Sequence, residues 1–297
     1  MINVSNVVKR FDGFTALDGL NLNVPQGSIY GLVGPNGSGK TTIIRHLTGM
    51  YRQDSGEITI AGEPVYENPS VKAKIACIPD ELYFFPSANI REMKNYYAGI
   101  YPKFDTDRFE KLHEAFPLDE KRQIRRFSKG MQKQAAFWLA LSMRPEILIL
   151  DEPVDGLDPV MRRQVWSLMM SDVAENGTTV LVSSHNLREL EDVCDHVGII
   201  HHGRTLIERS LSELQGNIAK VQFVLDEDQS LPGNLNVLHE SRVGKVRTII
   251  VRGKFEDVDA KMASISPLFY DIIPLTLEEV FIYELGGEEY EFKDILF

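Results

Sequence analysis

Residues 28–50 read SIYGLVGPNGSGKTTIIRHLTGM: an apolar run, a glycine-rich loop and a helical pattern, in that order. SIYGLVG (28–34) has no polar alternation, as expected of a strand buried on both faces of a parallel sheet. GPNGSGKT (34–41) matches the spacing Gly-x-x-x-x-Gly-Lys-Ser/Thr. A chance match in a chain of this length has a probability on the order of 1%. Glycines let backbone N–H groups curl round phosphate oxygens without side-chain collision. Lys40 adds a positive charge, the Thr41 hydroxyl suits Mg2+, and the helix that follows turns its N-terminus towards the anion. Gly34, Asn36, Gly37, Ser38, Gly39, Lys40, Thr41 and Thr42 are therefore expected to line a nucleotide phosphate site.

Outward from this stretch, EILILDE (146–152) and TTVLVSS (178–184) read as two more buried strands. The spacing predicts a helix after each strand: one from about Gly39, one opening at Asp158-Pro159, one near Asn186 with Glu189 as a capping box. Strand, loop and helix in repetition mean an α/β fold with ligands at the carboxyl ends of the strands. Asp151 and Glu152 stand at one such end, where one carboxylate can hold Mg2+ through water and the other can orient or deprotonate an attacking water. His185 closes the next strand at the same edge, where an imidazole can link the γ-phosphate to Glu152.

Residues 86–145 look like a helical insertion, and the segment after about 212 reads as a small α+β domain. The net charge of −11 argues against a nucleic-acid binder driven by phosphate neutralisation. Within 217–297, 8 lysines and arginines face 15 acidic residues, which disfavours a DNA or headgroup module there. Cys77 and Cys194 have no metal-ligand spacing and read as reduced structural thiols of a cytoplasmic protein. MINVSNVVKRFDG lacks the pattern of a signal peptide, and no apolar window approaches the ~20 residues of a membrane span. A soluble chain that meets a membrane only through a partner is the expectation.

FSKGMQKQ (127–134) places a serine, a glycine and two lysines at the start of an apolar helix. Ordinary capping by Ser128 is one reading; a helix end built to hold an anion is the other. Taken together, GPNGSGKT, FSKGMQKQ, ILILDEP (147–153), DGLDP (155–159) and SSHN (183–186) resemble the ATPase subunits of ATP-binding-cassette (ABC) transporters in order and spacing. The resemblance covers about residues 1–212 and implies a RecA-like P-loop core with a helical subdomain at about 86–145, working as a head-to-tail pair. It implies that Asp151 assists the metal, that Glu152 is the catalytic base and that His185 is the γ-phosphate switch. It further implies that Asp158 communicates across the dimer and that Ser128, Gly130 and Gln132 face the partner's nucleotide. Phe11, in KRFDGFTAL, matches the aromatic that stacks on adenine; a core role for Phe11 or Phe14 stays open.

Two positions depart from the family pattern. Asp80 occupies the place of a glutamine that touches Mg2+, so the expected metal set is Thr41, Asp80 and Asp151. The neighbouring YFFP (83–86) is either a docking surface for a membrane partner or buried in the helical lobe. Lys129 replaces the first signature glycine, either adding a cation to the trans phosphate or weakening the signature. TLEEVFIYELGG (276–287) resembles accessory domains of exporter-type ATPases, which implies a dimerisation or regulatory domain over 213–297. The expected function is an ATP- and Mg2+-dependent subunit that powers a separately encoded integral membrane transporter, an exporter. It would pair with a second ATPase subunit and sit peripherally on the inner face of the membrane. An ABC-type ATPase of DNA repair or translation, or a nucleotide-binding module without turnover, are the alternatives. The former normally carries long coiled-coil or metal-finger insertions, or two cassettes, and neither occurs here.

Overall fold

A computed structural model describes residues 1–216, 218–226 and 229–285. The chain divides into two compact units: residues 1–185 with 193–208, and residues 186–192 with those from 209 onward.

The first unit is built on a six-stranded sheet in the order 204–210, 196–201, 29–33, 179–184, 147–151, 75–78. Strands Ile29–Val33, Ile147–Asp151 and Thr179–Ser184 are buried at every position, as their unbroken apolar character requires. They lie parallel side by side, with Val33 opposite Ser184 and Asp151 opposite Ser183. That register is what makes the site: three loops leave one sheet edge next to one another. A second sheet, ordered 14–24, 2–11, 55–60, 63–64, covers the helix Lys40–Leu47. Ile2, Leu17, Leu20, Leu32, Ile43 and Leu47 are fully buried in one cluster that joins the two sheets, each such side chain contributing about 1.5–3 kcal/mol of burial. The sequence pattern does not resolve this antiparallel sheet.

The helical lobe contains Ile90–Ile100, Thr106–Ala115 and Lys129–Ser142. Asn89 and Glu92 form a reciprocal capping box, and Asp105 caps the second helix. Trp138 organises the packing: it is fully buried, stacks on Phe109 at 4.6 Å and donates from Nε1 to the Phe109 carbonyl at 2.7 Å. Helix Pro159–Asn176 starts as expected, with Asp158 accepting from Val160 N at 2.9 Å and Met161 N at 3.0 Å.

The second unit is a four-stranded sheet ordered 236–243, 246–252, 218–224, 269–273, with helices Phe255–Ser264 and Leu277–Leu285. Val221, Phe223, Ile249, Val258 and Met262 form its core. The helix expected to open at Asn186 is replaced by a single 3-10 turn, Leu187–Glu189. Asn186 does cap, accepting from Arg188 N at 3.0 Å, but the segment is held by the C-terminal unit instead of continuing. Arg188 pairs with Glu278 at 2.8 Å, and Glu191 accepts from Leu277 N at 2.9 Å. The last two residues of TLEEVFIYELGG lie outside the described residues.

Candidate active site

The phosphate loop follows strand 29–33 and delivers the chain into helix 40–47. Gly39 is the N-cap residue with φ of 111°, a conformation that requires glycine. Lys40 is buried; its Nζ donates to the Gly34 carbonyl at 2.6 Å and the Pro35 carbonyl at 3.3 Å, and lies 3.6 Å from Glu152 Oε1. The ammonium is thus folded onto the loop's own carbonyls. Ser38 Oγ is buried without a hydrogen-bond partner among the described residues. A buried hydroxyl lacking a partner among the described residues and a cation resting on two carbonyls and one carboxylate both fit a phosphate between them. Asn36, Gly37 and Thr41 are exposed on this rim, with Thr42 half-buried.

Strand 147–151 ends at Asp151, 2% exposed, whose Oδ1 accepts a short hydrogen bond from Ser183 Oγ. Glu152 comes next with φ of 47°, left-handed for a residue with a side chain. Its Oε2 lies 2.9 Å from His185 Nδ1, joining the two strand ends that the sequence placed at one edge. His185 keeps 48% of its side chain accessible, against 12% for Glu152. Asp155, the first residue of DGLDP and one to which the sequence reading assigns no role, joins them: ligand atoms of Glu152, Asp155 and His185 lie within 4.8 Å of one another. In that loop Val154 and Leu157 are buried, while Asp155 is exposed. Asp80 is exposed on the bend after strand 75–78 and is not part of this cluster.

Ser128 caps helix 129–142, accepting from Met131 N at 3.2 Å, while Gln132 Nε2 donates to the Phe127 carbonyl at 3.0 Å. A Cβ on Gly130 would stand 3.0 Å from the Gly156 carbonyl, so glycine here admits the DGLDP loop of the same chain. Lys133, the second lysine of FSKGMQKQ and one to which the sequence reading assigns no role, is buried and donates from Nζ to the Glu152 carbonyl at 2.7 Å. A polar-to-apolar transition in FSKGMQKQAAF gives no sign of which lysine turns inward. Phe11 and Phe14 face each other across a two-residue turn, 37% and 65% exposed, which removes the core reading for both. Tyr51 packs edge-on against Phe11 at 5.5 Å. Tyr83 is 76% exposed and Phe85 45%, so YFFP is largely a surface feature.

The family model for ABC transporters matches residues 17–155. The chain is 32% identical to the ABC transporter ATP-binding protein YtrB of Bacillus subtilis over 97% of its own length and 99% of that protein's. It is 36% identical to the bacitracin transport ATP-binding protein BcrA of Bacillus licheniformis, over 76% of each chain. The solved ATP-binding subunit of an ABC transporter superposes with a TM-score of 0.68 at 26% identity, covering 72% of this chain and 92% of that one. The dimeric bacterial cassette MJ0796 shares the fold, with a TM-score of 0.64 at 22% identity over 71% of this chain and 99% of that one.

Proposed function

Because this chain belongs to the ABC transporter family as an ATP-binding, ATP-hydrolysing subunit, we propose that Glu152 and His185 carry its hydrolytic step, at a site closed by a second subunit. The observation that carries this reading is the 2.9 Å Glu152–His185 pair, 3.6 Å from the phosphate-loop lysine. Glu152 takes the proton from water as its oxygen attacks the γ-phosphorus; the bond to the β–γ bridging oxygen breaks, leaving ADP and phosphate. With Glu152 ionised, His185 Nδ1–H donates to it, and only an imidazolium form would also present an Nε2–H to a γ-phosphate oxygen. Lys40 exchanges its carbonyl partners for phosphate oxygens, and the Ser38 hydroxyl gains one. Thr41 and Asp151, with Asp80 from its exposed bend, would hold Mg2+, which when bound offsets charge on the β- and γ-oxygens. Phe11 would stack on adenine, its ring braced by Tyr51.

Ser128, Gly130 and Gln132 would face the nucleotide of a second ATPase subunit, with Asp158 at the seam, and Lys129 adds a cation there. Likeness to the bacitracin transport protein BcrA and to the daunorubicin/doxorubicin resistance protein DrrA of Streptomyces peucetius favours export as the work performed. The membrane partner is a separate polytopic protein docked over Tyr83 and Phe85, and the chain sits on the inner membrane face. No helix among the described residues is long and apolar enough to cross a membrane itself. Residues 213–297 serve as an accessory or dimerisation domain. Glu152→Gln is expected to bind ATP with wild-type affinity while steady-state hydrolysis falls at least 100-fold, read by phosphate release. Sustained hydrolysis would refute Glu152 as the base.

A further inference from the structure

Glu152 is held by more than its side chain. Its left-handed φ of 47° is costly for any residue with a Cβ and persists only where the surroundings enforce it. On one side its N–H donates to the Ser183 carbonyl at 3.2 Å and lies 3.1 Å from Ser183 Oγ, both on the strand that ends next to His185. On the other side its carbonyl accepts from Lys133 Nζ at 2.7 Å. Lys133 comes from helix 129–142, about a turn inside the Ser128 cap, and is only 6% exposed. Burying an ammonium is costly unless its donors are satisfied, and here one of them reaches the Glu152 carbonyl from 19 residues away in the chain. The helix that carries Ser128 and Gly130 thereby grips the main chain of Glu152 directly.

We propose that Lys133 is a positioning residue for Glu152, tying the backbone of the hydrolytic carboxylate to the helix whose N-terminus meets the partner's nucleotide. The proposal rests on the reading of Glu152 as base. A rigid shift of helix 129–142 on closure pulls the Glu152 carbonyl with it, so carboxylate orientation follows the state of the helix. Lys133 acts through the Glu152 main chain, and its removal therefore acts on turnover and spares ATP binding.

The test uses the full-length chain and measures kcat, KM for MgATP and equilibrium ATP affinity side by side. Lys133→Met, which keeps the stem and removes the donor, is expected to lower kcat at least tenfold with ATP affinity within twofold of wild type. Lys133→Gln, which restores a donor, is expected to recover kcat to within about threefold. Should Lys133→Met not fold, Lys133→Ala removes the same donor and takes its place. Wild-type kcat in the donorless variant overturns the proposal. So does a parallel loss of ATP affinity, or a Lys133→Gln variant as slow as Lys133→Met, since either marks a packing role. Glu152→Gln run alongside separates the two claims: if that variant still turns over, the reading of the base has failed, whatever Lys133 does.

Discussion

Glu152 shows how a single residue can be legible in type and not in setting. ILILDEP announces a carboxylate at a buried strand end, and the structure puts it 2.9 Å from His185 as that position suggests. Nothing in the local pattern announces its left-handed backbone, or that Ser183 and Lys133 hold its two peptide groups. Those are contacts over 31 and 19 residues of chain, and only the register of strands and the facing of a helix create them. Asp155 escapes a sequence reading for a related reason: only the folded loop brings its carboxylate to Glu152 and His185. The cysteines give a simple prediction at this scale. Burial, with Asp151 nearby, pushes the Cys77 thiol up to about 12, and burial raises Cys194 as well. At pH 8 Cys77 and Cys194 should alkylate more slowly in the folded protein than after denaturant exposes them. An unfolded thiol ionises first as pH rises, so these groups lower stability above about pH 8.5. Rapid labelling of the native protein by iodoacetamide, followed by mass spectrometry, would contradict the burial described.

Among the elements, those with strong periodicity and an identifiable cap are readable. Helix Pro159–Asn176 follows from Asp158 and Pro159, and the three central strands from unbroken apolar runs. The segment at Asn186 is not, although its cap is present: Arg188 and Glu191 bond to the helix beginning at Leu277, so a distant partner ends it after one turn. The antiparallel sheet is hidden because its long strands alternate irregularly around bulges, as at Val4/Val7 and Lys9/Arg10. In the helical lobe, packing converges on Trp138, between Phe109 at 4.6 Å and His113 at 5.2 Å. Trp138→Ala is expected to cost about 3–5 kcal/mol through the cavity and the lost hydrogen bond. Urea unfolding followed by circular dichroism checks this, and a loss below about 1 kcal/mol would show that the lobe does not depend on this side chain.

At the scale of the whole molecule, the phosphate loop and the Ser128 helix end belong to one chain but, in the proposed mechanism, serve two different nucleotides. A head-to-tail pair satisfies both, each copy presenting its helix end to the other's phosphate loop. In that mechanism ATP would drive closure through a greater affinity for the paired state, and hydrolysis would release it. A net charge of −11 on each chain would oppose pairing at low ionic strength, and salt would weaken that opposition. Sedimentation of the hydrolysis-deficient Glu152→Gln chain, with and without MgATP, puts this pairing to the sharpest trial. The expected species has the 33.6 kDa of one chain without nucleotide and twice that mass with it. A Glu152→Gln chain that is saturated with ATP yet still sediments as a single chain would contradict the head-to-tail pair.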